Sequence, residues 1–181
     1  MATSAQEQLV KHLVNAHAME EQSLELLDKG ASIAEDEEIG RIYRAHHMQT
    51  KEHVEHILKR LQAHGETPSK AKGAVLKASA DLIGGAAAGS PNTPITLAAA
   101  AYAYESLEVA SYRLLRSLAE RANDPETVAA VDRILEQEEA AVELVGGTFD
   151  RVLDLSLGEP AVSPVTPVTP IGKPSDRPAE S

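Results

Sequence analysis

Four carboxylates, one imidazole and one amide stand at positions where a helical sequence should place apolar side chains: Glu20, Glu105, Glu108, Glu138, His53 and Gln49. Each lies within an apolar stripe whose members recur at steps of three and four, the spacing of one helical face. A buried, unpaired carboxylate costs several kcal/mol or takes up a proton. A lone Glu at a stripe edge can keep its head in water, but Glu20 and Glu138 are both central, which favours burial with a partner. Carboxylates at mid-height on several packed helices predict a bound cation. Glu20, Glu105, Glu108 and Glu138 together carry the charge that two divalent ions would balance. Carboxylate and imidazole donors suit iron(II) or manganese. Carboxylate-bridged di-iron bundles use a Glu from each of two helices and Glu-x-x-His from each of the other two. His46 and His56 are further ligand or supporting candidates beside His53, and His17 is a weaker one.

Four long amphipathic helices must position these groups. The first is predicted from about Ser4 to Lys29, ending at Gly30, with the stripe Leu9, Leu13, Ala16, Glu20, Leu24 and Leu27. The second is predicted from about Glu35 to His64, ending at Gly65, with Ile39, Ile42, Tyr43, His46, Gln49, His53, Ile57 and Leu61 on one face. The third starts at Thr93-Pro94, a capping residue followed by a proline suited to the first helical position. One side of it holds Ala98, Ala101, Glu105, Glu108, Tyr112 and Ala119, and the other Ala103, Leu107, Leu114 and Leu118. Apolar residues on both sides predict burial on both, and a homodimer or the crossover helix would cover the second. The fourth starts at Asp124-Pro125-Glu126 and carries Val128, Val131, Leu135, Glu138, Val142, Val145, Phe149 and Val152, with Gly146-Gly147 expected to loosen it locally. The helix midpoints fall near residues 17, 50, 107 and 139, so the candidate ligands share one level.

The links set the topology. Helices 1 and 2, and helices 3 and 4, are joined by short links and should form antiparallel hairpins. Residues 65–93 are long enough to cross a bundle of about 40 Å, with a short helix predicted over about Lys70–Ile83. The expected fold is therefore all-α: a ferritin-like four-helix bundle with a long crossover connection between helices 2 and 3. The bundle spans residues 1–157. Residues 158–181 hold six of the ten prolines and are predicted to be a disordered, proline-rich tail, open to a protein partner as an extended or polyproline segment.

Composition narrows the function classes. A net charge of −11 argues against nucleic acid as a partner. The absence of Cys excludes disulfides, thiolate metal sites and Cys nucleophiles. No apolar run approaches the ~18 residues of a membrane span. The opening MATSAQEQLV lacks the basic and apolar regions of a signal peptide, so a cytoplasmic location is expected. No phosphate-binding glycine loop or nucleophile elbow occurs.

The segments ESLEVASY, LEQEE, AMEEQSLELL and HMQTKEHVEHILKRLQAHGETPS, the last matching a second helix and the turn after it, resemble the YciE-like, ferritin-like proteins of bacteria. Glu105-Ser106-Leu107-Glu108-Val109-Ala110-Ser111-Tyr112 is similar to that family's Glu-His-x-Glu-Ile-Ala-x-Tyr on helix 3. Leu135-Glu136-Gln137-Glu138-Glu139 is similar to its Leu-x-x-Glu-Glu on helix 4, and AMEEQSLELL aligns Glu20 with its helix-1 Glu. The resemblance covers about residues 5–155. It implies a dimeric four-helix bundle, an association with stress responses and a di-metal centre. The central carboxylates and the crossover bundle lead to the expectation of iron(II) oxidation or peroxide consumption. The chain departs from the pattern at Gln49, where Glu is common, at Ser106, where His is common, and at Ala141, three residues after Glu138. Those departures keep a second reading open: a metal-free helical dimer with a degenerate site, acting as a stress, interaction or cargo protein.

Overall fold

The computed structural model describes residues 4–68, 94–160 and 164–168. The described residues form five helices and no strand: α1 Ala5–Ile33, α2 Glu37–Ala63, α3 Pro94–Arg121, α4 Pro125–Gly146 and α5 Phe149–Leu157. The crossover helix predicted over Lys70–Ile83 and the Thr93 cap lie outside them.

Local chemistry sets the helix ends. Ser4 and Glu7 close a reciprocal capping box on α1, each side chain holding the other's backbone N–H. Asp36 caps α2 by accepting from the N–H groups of Glu38 and Ile39. Asp124 caps α4 by accepting from Thr127 N–H, and Pro125 follows it. α2 ends before Gly65, which has φ +71°, the left-handed conformation that glycine adopts without strain.

Two boundaries differ from the sequence expectation. α1 does not stop at Gly30 but runs on to Ile33. A Cβ at Gly30 would lie 3.4 Å from the Tyr43 ring, so this glycine lets α2 approach closely instead of ending the helix. The fourth predicted helix is two helices. α4 ends at Gly146, Thr148 Oγ1 donates to the carbonyl of Val145, and α5 sets off anew. Phe149 and Val152 therefore do not continue the α4 stripe. Val152 packs with Leu27, Ile39, Tyr43 and Ala98, and the Phe149 ring tilts against Tyr102 at 5.5 Å.

α1 packs on α2, α3 on α4, α1 on α3 and α2 on α4. At one end Gln6 meets His64, and Arg60 and His64 meet Asp124, so the start of α1, the end of α2 and the α3–α4 turn lie together. At the other end Leu27 and Ile39 meet Ala98, at the start of α3. The chain thus leaves α2 at one end of the bundle and enters α3 at the other, the crossover arrangement expected from the link lengths. The core is divided in two. Leu9, Leu13, Ile57, Leu61, Leu115 and Ile134 belong to a large apolar cluster toward the Asp124 end. Leu27, Tyr43, Ala98 and Val152 belong to a smaller one at the opposite end. Between them lies a polar layer.

Candidate metal centre

Every helix of the four-helix core contributes to that layer, and the contributing side chains are shut off from solvent. Glu20, Glu108 and Glu138 are fully buried, and Glu105 and His53 nearly so. Their donor atoms gather in two sets, each within 4.8 Å: His46, Glu105, Glu108 and Glu138, and Glu20, His53 and Glu138. Glu138 belongs to both and offers one oxygen to each. Its Oε1 is 2.8 Å from His53 Nδ1, and its Oε2 is 3.4 Å from His46 Nε2. His46 Nε2 lies 2.9 Å from Glu105 Oε2, and His53 Nδ1 lies 3.5 Å from Glu20 Oε2.

Both imidazoles come from α2, two turns apart on one face. Each turns one nitrogen to the acids and the other to a glutamine. His53 Nε2 is 2.6 Å from Gln137 Oε1, and His46 Nδ1 is 3.2 Å from Gln49 Oε1. Each glutamine carbonyl accepts a hydrogen bond from the outer nitrogen's N–H. That arrangement orients the ring and leaves the inner nitrogen to face the cluster, as in metal-ligating histidines. Two tyrosines and a serine complete the layer. Tyr112 OH donates to Glu20 Oε1, Ser23 Oγ donates to Glu108 Oε2 at 3.3 Å, and Tyr104 OH donates to the Met19 carbonyl at 2.9 Å.

These contacts do not satisfy the layer. Glu20 Oε2, Glu108 Oε1, both oxygens of Glu138 and His53 Nδ1 are buried without a properly aligned hydrogen bond. His53 Nδ1 is within ion-pair distance of Glu138 Oε1 but off the hydrogen-bonding direction. Native interiors rarely leave such groups unpaired unless an ion or water completes them. Four carboxylates and two imidazoles around one level form a donor set of the kind that can hold a metal ion.

The electrostatics point the same way. Burial, together with the charge of Glu138, pushes Glu108 well above the usual carboxylate range. Burial also raises Glu20 and Glu105, against the lowering contacts of His53 and His46. Burial opposes the charge on His53, but its contacts with Glu138 and Glu20 outweigh it and push the pKa up to about 10. His46 is raised well above its ordinary value against the same opposition, by Glu105 and Glu138. Glu138, between the two imidazoles, is drawn down to about 2 although burial alone would raise it. Without a cation, the two imidazoles favour the charge on Glu138, while burial disfavours the charged forms of Glu20, Glu105 and Glu108.

The structure brings together five of the six residues singled out from the sequence: Glu20, His53, Glu105, Glu108 and Glu138. The sixth, Gln49, is half-buried and touches His46 on the nitrogen turned away from the acids. His46 takes a place in the donor sets, and Thr50, wholly buried, faces inward beside it. On α1 the inward residue is Ser23, not Leu24, which is only half-buried. His17 lies 3.7 Å from Glu21, outside the donor sets, and His56 is also outside them. Gln137 had no signal in the sequence, because its place in the stripe is read only once α2 and α4 are in contact.

The domain of unknown function DUF892 matches residues 4–154. The chain belongs to this family. No match was found among the curated proteins. Three solved structures share the fold. The E. coli stress protein YciF superposes with a TM-score of 0.73 at 19% identity, covering 84% of this chain and 99% of that one. YcfI of Rhodopseudomonas palustris gives 0.70 at 20% identity, covering 80% and 94%. A protein of Xanthomonas campestris pv. campestris gives 0.70 at 24% identity, covering 86% and 97%. The DUF892 match and the neighbour YciF bear out the resemblance to the YciE-like, ferritin-like proteins. Among the described residues no helix is long and apolar enough to cross a membrane.

Proposed function

We propose that this DUF892 protein holds two divalent ions, iron(II) or manganese, and uses them to oxidise iron(II) or consume peroxide in a stress response. The observation that supports this reading above the rest is Glu138, whose two oxygens serve two donor sets while finding no hydrogen-bond donor of their own. Ions held there would supply Lewis acidity and, as iron, one-electron chemistry at close range. The chain's own groups do the rest. Glu20 and His53 hold one side, and Glu105, Glu108 and His46 the other. Gln137 and Gln49 fix the two imidazole rings. Tyr112 pins Glu20. The apolar clusters on either side keep water out, which strengthens every charge interaction within.

A second reading has its own support. Glu138 drawn down to about 2 between His46 and His53 is already partly compensated, so the layer could serve as a metal-free ionic network in a stress or cargo protein. Elemental analysis of protein purified without chelator separates the two. Iron or manganese near two ions per chain, lost in Glu138→Ala, is the expected result. Metal-free protein that also fails to take up added iron(II) under anaerobic conditions would leave the second reading standing.

We further propose a homodimer. Ala103, Leu107, Ala110 and Leu114 form an exposed stripe on α3, with Leu107 38% and Leu114 62% accessible. A contiguous apolar stripe of this kind marks an interaction face.

A further inference from the structure

Residues 164–168, read from the sequence as part of a disordered, proline-rich tail, carry no helix or strand and rest on α4. We propose that they form a strap seated across the Gly146–Gly147 pair, closing the outer mouth of the cleft that leads to His46. The inference builds on the reading of the buried layer as a metal centre.

The strap reads Pro164-Val165-Thr166-Pro167-Val168, a Pro-Val-Thr repeat. A polyproline helix has three residues per turn, so valines three apart share one face. Both valines meet the bundle. Val165 lines a cavity of about 220 Å³ whose other walls include Tyr43, His46, Gln49, Ala141 and Leu144. Val168 sits over Gly146, where a Cβ would come within 2.4 Å of its Cγ2 and 3.1 Å of the Tyr102 ring. The backbone is held as well. Val168 N–H donates to the Glu143 carbonyl at 3.2 Å, sharing it with Gly147 N–H at 3.0 Å.

The glycine pair makes this seat by what it lacks. A Cβ at Gly147 would lie 2.4 Å from the Thr166 carbonyl oxygen, which any side chain would displace. Neither position needs glycine for its backbone: Gly146 is helical, and Gly147 has φ −65° and ψ −14°. Glycine is disfavoured in a helix relative to alanine, and here it leaves room for the strap. The cleft beneath runs between α2 and α4 to His46 and Gln49, the side from which an ion or a small oxidant would reach the layer.

Alanine at both glycines should evict the strap, with the Tyr102 ring giving way slightly to the new Cβ at position 146. Full-length Gly146→Ala/Gly147→Ala is compared with Val165→Ser/Val168→Ser, which weakens the same contact from the strap's side. In metal-free protein, methyl-selective NMR should show contacts between Val168 methyls and the Tyr102 ring, lost in both variants. Relaxation of the His46 ring protons by a soluble nitroxide should rise in both. In cobalt(II)-loaded protein, EDTA should strip the metal about tenfold faster from both variants, the change expected on removing a segment closed about nine-tenths of the time. Cobalt stoichiometry should be unchanged. A wild type without the Val168–Tyr102 contacts, or variants that lose them with no change in nitroxide access, would overturn the strap. Failure of the wild type to take up cobalt would instead overturn the metal reading, with the two metal-free measurements still deciding on the strap.

Discussion

Three of the four buried carboxylates keep at least one oxygen without an aligned hydrogen bond, and Glu138 faces both imidazoles. Glu138 is the common member, so Glu138→Ala should abolish binding at both sets, whereas Glu20→Ala should spare the set formed by His46, Glu105 and Glu108. Metal content by elemental analysis checks this: Glu138→Ala should hold well under one ion per chain and Glu20→Ala about one, taking two in a filled bimetallic site. Gln137 acts through His53. Gln137→Leu should leave the ion count at saturation unchanged but weaken affinity by about 10–100-fold, the usual cost of losing the partner that orients a ligating histidine. Competition titration against a chelator of known affinity measures it, and an unchanged affinity would mean that His53 needs no orientation. Ser106 and Ala141, the departures from the helix-3 and helix-4 patterns, leave both imidazoles to α2.

At the scale of the element, the Asp124 end of the bundle is tied by one carboxylate. Asp124 caps α4 and is bonded by Arg60 at 3.0 Å and His64 at 2.9 Å, with its pKa down at about 2. Burial would raise that pKa, but the hydrogen bonds from Thr127 and His64 and the charge of Arg60 prevail. A carboxylate depressed from its ordinary value of 3.8 stabilises the fold fully above the unfolded value, and this is lost as pH falls through the folded one. The contribution is roughly 2 kcal/mol, at 1.36 kcal/mol per pKa unit. Asp124→Asn should therefore lower stability at pH 7 by about that amount and flatten the acid limb between about pH 4 and pH 2. Urea denaturation across that range tests it; a variant with an unchanged acid limb would show that other carboxylates carry the acid response. Element boundaries were only partly legible. Ser4, Asp124 and Pro125 announce their helix starts through side-chain chemistry that acts within a few residues. Gly30 and Gly146-Gly147 do not announce their roles, because a glycine that admits a neighbouring ring or strap looks the same in sequence as one that ends a helix.

For the whole molecule, the exposed stripe on α3 carries the prediction of a dimer. Sedimentation should show a dimer for the native chain and a monomer of equal helicity for Leu107→Glu/Leu114→Glu. A native monomer would leave that face for another partner. Metal should also stabilise the whole bundle, since ions that bind only the folded state add to its stability by mass action. Metal-free protein is expected to unfold at a lower temperature than loaded protein, and in Glu138→Ala added metal should no longer raise Tm.

The all-α class, the crossover order and the level at which Glu20, His53, Glu105, Glu108 and Glu138 meet were legible in the chain alone. Those follow from periodicity and link length, which are properties of a single strand of residues. Tertiary structure decided which nitrogen of each histidine faces the acids, that His46 stands in the layer with Gln49 behind it, and that Gln137 supports His53. It also decided that Val165 and Val168 lie on α4. The reason is geometric: a helical wheel gives a residue's direction to within a fraction of a turn, whereas a ligand set depends on angstrom-scale distances between helices far apart in the chain.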